Sequence, residues 1–145
     1  MIIFLLKHNH YLPNEFKDTK ILGVFSSIIT CNSAKDEYKT KQGFCEQPSN
    51  FEIVKCTITD KKDQVSIDKV FIVQHQYEDN EKFEYVTLIG MFASLKEARN
   101  KVVELRRTPP YNRNPLGFSV DDYPLDKMYW IEGYDTWDTA NLVSE

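Results

Sequence analysis

Two stretches of this chain repeat one pattern of apolar and polar positions, and the second spells it out more clearly. Val70, Phe71, Ile72 and Val73 make an apolar run that ends at His75; β-branched and aromatic residues in so short a run predict a strand. An acidic loop of Glu78, Asp79, Asn80 and Glu81 follows, and Phe83 to Phe92 predicts a second strand. Ser94 and Glu97 then have capping-box spacing, in which hydroxyl and carboxylate each satisfy an orphan backbone donor at a helix start. Leu95, Ala98, Val102 and Leu105 fall on one helical face. Arg106 and Arg107 suit the negative end of the helix dipole, and Pro109 with Pro110 ends the helix. Phe118 and Val120 open a further strand, behind which the aromatic run Tyr129 to Tyr134 is expected to pack.

The first half carries the same order with weaker signals. Ile2 to Leu6 reads as a strand buried on both faces, His8 to Lys17 as a polar loop containing Pro13, and Ile21 to Phe25 as a second strand. Ser26 and Ser27 offer an N-cap for a helix over Ile28 to Thr40, poorly encoded because Ile28, Ile29 and Thr30 are β-branched. Phe51 and Ile53 begin a half-exposed strand.

Residue n set beside residue n+67 aligns Ile3–Thr59 with Val70–Asp126 without a gap, giving nine identities in 57 positions. The identities include Gly23 with Gly90, Ser27 with Ser94, Pro48 with Pro115 and His8 with His75, together with four pairs of phenylalanines. Such residues fix backbone path and core, which is where a repeat shows. The reading is an α+β fold of tandem duplicated β-β-α-β units, with antiparallel strands and helices packed on one face. Residues 1–60 form a degenerate first copy, 61–68 a linker, and 69–145 a second copy with an acidic aromatic extension. Copies of this size are marginal alone, so they are expected to share a core or a sheet.

The second half resembles a family of short uncharacterised bacterial domains on three features. They are the apolar strand ending at His75, the junction Ile89-Gly90-Met91-Phe92-Ala93-Ser94, and an ending built from Phe118, Val120, Tyr123, Leu125, Asp126, Trp130, Glu132, Gly133 and Tyr134. The first half keeps the early motifs and lacks that ending. The resemblance implies a fold and a bacterial source; it brings no activity and no catalytic residues.

Charge changes the picture more than composition does. From Phe118 to Glu145 seven acidic residues face Lys127 alone, which leaves this stretch at −6 and the rest of the chain at +2. Aromatics interleave with these carboxylates, a combination suited to a basic protein partner: rings give desolvated contact area and charges give steering. The candidate partner-binding residues are Asp121, Asp122, Asp126, Tyr129, Asp135, Trp137 and Asp138; Trp130 and Tyr134 are assigned to the core. Phosphates would be repelled here, and Arg99, Lys101, Arg106, Arg107 and Arg113 read as a solvated helix face, so no nucleic-acid partner is expected.

Catalytic chemistry is not indicated. His8 and His75 hold matching positions at strand ends, where a histidine more often ties a loop than binds a metal, and no hydrolase, metalloprotease or phosphate-loop motif occurs. Cys31, Cys45 and Cys56 are odd in number and lack zinc spacing, so neither disulfides, a metal nor another cofactor is expected, and a reducing cytoplasm is. The apolar start, Met1 to Leu6, is too short for a signal sequence or membrane span. The leading expectation is an immunity protein, a monomer or weak dimer, that neutralises a cognate toxin such as a basic nuclease. The alternatives are a small-ligand or regulatory module with a site between the copies, and a weak hydrolase using the histidines with Asp126 or Glu132.

Overall fold

The computed structural model describes residues 1–12, 17–58 and 67–136. Six strands and two helices follow in the order β1 (Ile2–Tyr11), β2 (Lys17–Phe25), α1 (Ile28–Tyr38), β3 (Phe51–Thr57), β4 (Lys69–Glu78), β5 (Glu84–Phe92), α2 (Leu95–Leu105) and β6 (Phe118–Pro124). Short 3-10 turns at Phe44–Glu46 and Tyr111–Arg113 follow the helices. Every bound in the second set lies 67 residues beyond its counterpart in the first. The strands form two antiparallel three-stranded sheets, ordered β2-β1-β3 and β5-β4-β6, so of the expected shared core or shared sheet it is not the sheet that is shared.

The chain divides into two compact units, and their boundaries differ from the expected ones. Ile2–Cys56 is joined by the segment that starts at Asp126, forming the N-terminal unit; Thr57–Leu125, with Met1, forms the central unit. The run after β6 therefore does not stay with the second set of elements. The expected linker lies outside the described residues except for its last two positions.

In the N-terminal unit α1 packs on β1 and β2. Helix propensity contributes little to it: Ile29 is 77% exposed, and what holds the helix is the buried line Cys31, Ala34 and Tyr38 together with the Ser27 cap on Thr30 N. Leu6, Leu22, Phe25 and Phe44 complete the core, with Met128 and Tyr134 packed against it. The stretch His8 to Tyr11, expected as loop, continues β1, because its backbone pairs with Lys17 to Lys20 and Thr19 Oγ1 donates to Asn9 Oδ1 at 2.7 Å. Polar residues extend a strand when a hairpin partner satisfies their backbone. Leu6, His8 and His10, two apart, share a buried face of β1, and where the register shifts between Leu6 and Lys7 the extra residue is Leu22 on β2.

The central unit follows its sequence pattern more closely. Ala98, Val102 and Leu105 are buried as the helical spacing predicts, and Ser94 Oγ accepts from Glu97 N at 3.2 Å. Val73, Ala98 and Val102 make the core, bordered by Phe71, Ile89, Phe92, Phe118 and Val120. A matching bulge lies between Val73 and Gln74.

Candidate functional site

The two histidines at matching positions are loop ties. His8 Nε2 donates to the Gln47 carbonyl at 2.9 Å, and His75 Nε2 donates to the Asn114 carbonyl at 2.9 Å. Each ring lies near aromatics, His8 against Phe44 and Phe51, His75 against Tyr111 and Phe118. Burial is the main cause that pushes the His8 imidazole below its ordinary value of 6.5, opposed by the Gln47 bond and assisted by nearby His10 and Lys20. A ring kept neutral in the fold but free to protonate when unfolded stabilises fully above pH 6.5 and less as pH falls below it. His8→Gln is accordingly expected to lower the denaturation midpoint at pH 8 and to flatten its decline between pH 7 and pH 5; an unchanged decline would exclude His8 as its source. Among the described residues no group of three or more His, Cys, Asp or Glu side chains is placed to hold a metal ion.

The predicted acidic aromatic patch is divided between the units. Asp121 and Asp122 lie exposed on β6 of the central unit, with Asp122 3.8 Å from Lys69 Nζ. Asp126, Tyr129 and Asp135 belong to the N-terminal unit, where they serve its own architecture. Asp126 accepts from Ser26 N at 2.9 Å and from Ser26 Oγ at 2.7 Å, bracing the entry to α1. Tyr129 N donates to the Leu22 carbonyl at 2.8 Å, and the Tyr129 carbonyl accepts from the buried Tyr38 hydroxyl. Asp135 Oδ1 accepts from Gln42 Nε2 at 2.8 Å. Trp137 and Asp138 lie outside the described residues.

Tyr134 is the centre of this attachment. Its ring stands edge-on to Phe44 at 4.9 Å and to His10 at 5.9 Å, with Lys20 Nζ 4.0 Å from its centroid. The ring lies on the bare backbone of Gly43, where an added Cβ would come within 2.5 Å of it; Gly43 also has φ +89°. Gly133, at φ +80°, brings the backbone equally close to Gln42, and Tyr134 N donates to the Gln42 carbonyl at 3.0 Å. Tyr134 thus joins a core, but that of the N-terminal unit rather than of the second set of elements, and Trp130, assigned with it, is 48% exposed.

A different acidic aromatic surface was not singled out from the sequence. On the β4–β5 hairpin Tyr77 stacks on Tyr85 with centroids 4.9 Å apart and planes at 16°, and Phe83 and Val86 are also exposed. Glu78, Glu81 and Glu84 stand exposed around them, while Asp79 is half-buried and accepts from Glu81 N, Phe83 N and the Tyr85 hydroxyl. The signal was present: an acidic loop between strands whose outward positions are Tyr77, Phe83 and Tyr85. Alternation alone assigned these rings to a strand without telling which face the core would leave open. Beside Tyr77 a cavity of about 250 Å³ opens, lined also by Thr87, Pro110, Tyr111 and Arg113. Among the described residues no helix is long and apolar enough to cross a membrane. No family model, curated protein or solved structure matches the chain.

Proposed function

We propose that this is a bacterial immunity protein, which binds a cognate toxin domain, a cationic nuclease, and neutralises it by covering its active site rather than by chemistry of its own. The observation that carries the reading is the β4–β5 hairpin, where four exposed apolar side chains, two of them stacked tyrosines, sit among Glu78, Glu81 and Glu84. Tyrosines held in place by stacking give contact area at small entropic cost, and a carboxylate rim steers a basic partner. Asp121 and Asp122, exposed on β6 of the same unit, lie opposite Ile72 and Phe71, toward the far end of β4 from the hairpin. Asp126 and Asp135, already bonded within the N-terminal unit, contribute less. Cys31, Cys45 and Cys56 as thiols, with Cys45 exposed, suit the cytoplasm.

Duplication of one β-β-α-β unit, in the manner of the domain family that the second half resembles, is part of this reading. Its supports are the constant offset of 67 between all element bounds and the twin bonds of His8 and His75.

A cationic toxin nuclease domain encoded beside this protein's gene is the probe. The intact protein is expected to inhibit it and to bind more weakly as salt rises. Changing Glu78, Glu81 and Glu84 to Lys should weaken binding at least roughly tenfold and flatten the salt dependence. Binding untouched by those changes, in a folded variant, would place the interface elsewhere, and no inhibition by the intact protein would set the proposal aside.

A further inference from the structure

The cavity beside Tyr77 corresponds, position by position, to the seat that Tyr134 fills in the N-terminal unit. The residues around the Tyr134 ring are His10, Lys20, Gly43 and Phe44, and Glu46 Oε1 accepts from Thr136 Oγ1 at 3.1 Å just beyond it. Sixty-seven residues on stand Tyr77, Thr87, Pro110, Tyr111 and Arg113, and all five line the cavity of the central unit. The floor is built alike in both, by a histidine bonded through Nε2 to a carbonyl at 2.9 Å. One seat is occupied by the chain's own C-terminal segment; among the described residues none fills the other.

We propose that the open seat receives a tyrosine of the partner protein, carried on a tight turn and followed two residues later by a carboxylate. The size supports one side chain over a metabolite, since about 250 Å³ is below the roughly 300 Å³ at which small-molecule pockets begin. Tyr111 offers the ring edge that Phe44 offers to Tyr134, and because a Cβ at the Gly43 position would stand 2.5 Å from the Tyr134 ring, an aromatic here lies farther out, against the apolar ring of Pro110. The carboxylate follows from charge. Glu46 meets a hydroxyl at position 136, two beyond the tyrosine, and Arg113 at the corresponding place calls for an anion. This deepens the protein-binding reading and rests on it for the kind of partner, while the seat itself rests on the paired geometry.

The probes are synthetic peptides of residues 128–136, one unmodified, one with Thr136→Glu and one with both Thr136→Glu and Tyr134→Ala, titrated into the full chain with amide chemical shifts as the readout. The Thr136→Glu peptide is expected to shift Tyr77, Thr87, Tyr111 and Asn114 saturably and to bind about threefold to fivefold tighter than the unmodified one, as an exposed ion pair allows. Arg113→Glu, a change at an exposed position, should reverse that order. The inference is overturned if the peptide with Tyr134→Ala gives the same shifts, or if shifts are confined to residues 2–56, where the peptide would only be exchanging with the resident segment. Dilution alone moving the same amides would identify a second copy of this chain as the occupant and likewise overturn it. Lost peptide binding alongside intact, salt-dependent toxin inhibition would remove this inference and leave the proposed function standing.

Discussion

Tyr134→Ala is expected to destabilise the N-terminal unit by about 3 kcal/mol, in the range for removing a packed aromatic ring. The ring stands against Phe44 and His10 and beneath Lys20, and its loss opens the side of the core formed by Tyr38, Phe44 and Phe51. For a unit of this size the melting temperature should fall by roughly 12–24 °C. Thermal unfolding followed by far-UV circular dichroism checks it; a fall of only a few degrees would show that the segment is an ornament on the unit. Tyr134→Phe separates the ring from its hydroxyl. That hydroxyl is buried without a hydrogen-bond partner among the described residues, and burial together with Asp18 and Glu46 raises its phenol well above the ordinary range. Removing an unsatisfied buried hydroxyl relieves a desolvation cost, so the phenylalanine variant should be at least as stable as the parent, by up to about 1 kcal/mol.

Tyr38→Leu is the second large effect, expected to cost about 3 kcal/mol. Tyr38 is wholly buried in the helix face, and its one hydroxyl proton is donated to the Tyr129 carbonyl and shared with the Leu22 carbonyl at 3.2 Å. It is the one core side chain of α1 that reaches the C-terminal segment through a hydrogen bond among those described. The matching position in α2 is Leu105, so the substitution makes the N-terminal unit resemble the central one at this point. The Tyr129 carbonyl loses its hydroxyl donor, the Leu22 carbonyl keeps Tyr129 N, and the shorter side chain leaves a void. The decisive measurement is amide exchange at Tyr129, whose N–H bonds Leu22: faster exchange there than across β1 would show the segment loosened first. Equal acceleration everywhere would mean that Tyr38 only fills space. Tyr38→Phe, which keeps the ring, should show the same order of loosening at roughly half the cost.

The elements themselves were legible because their signals are local. Ser94, the spacing of Ala98, Val102 and Leu105, and the paired prolines delimit α2 within one window of sequence, and the offset of 67 carries the same assignment onto the weakly encoded α1. The ends of the hairpins were not legible. His8 to Tyr11 has loop composition and becomes strand only because Lys17 to Lys20 pair with it. Carboxylates mixed with aromatics are legible in the C-terminal run and again on the β4–β5 hairpin, but which of them the fold leaves exposed is not. Net charge singled out the C-terminal run, whereas Asp126, Tyr129 and Asp135 there are occupied in holding the N-terminal unit together.

The amino-acid sequence by itself determined the order of strands and helices, the twin layout at one spacing and the matched histidine in each first strand, since periodicity, capping and turn residues act over a few positions. Only the tertiary structure decided which set of elements owns the segment after β6. That choice is made far along the chain, by Tyr38 rather than Leu105, Gly43 rather than Pro110 and Lys20 rather than Thr87. A donor for the Tyr129 carbonyl, and a bare backbone and a cation against the Tyr134 ring, together hold this segment in the place it takes, and no local pattern records that three such residues meet. Among the described residues the matching cavity of the central unit is unfilled, with Arg113 beside it.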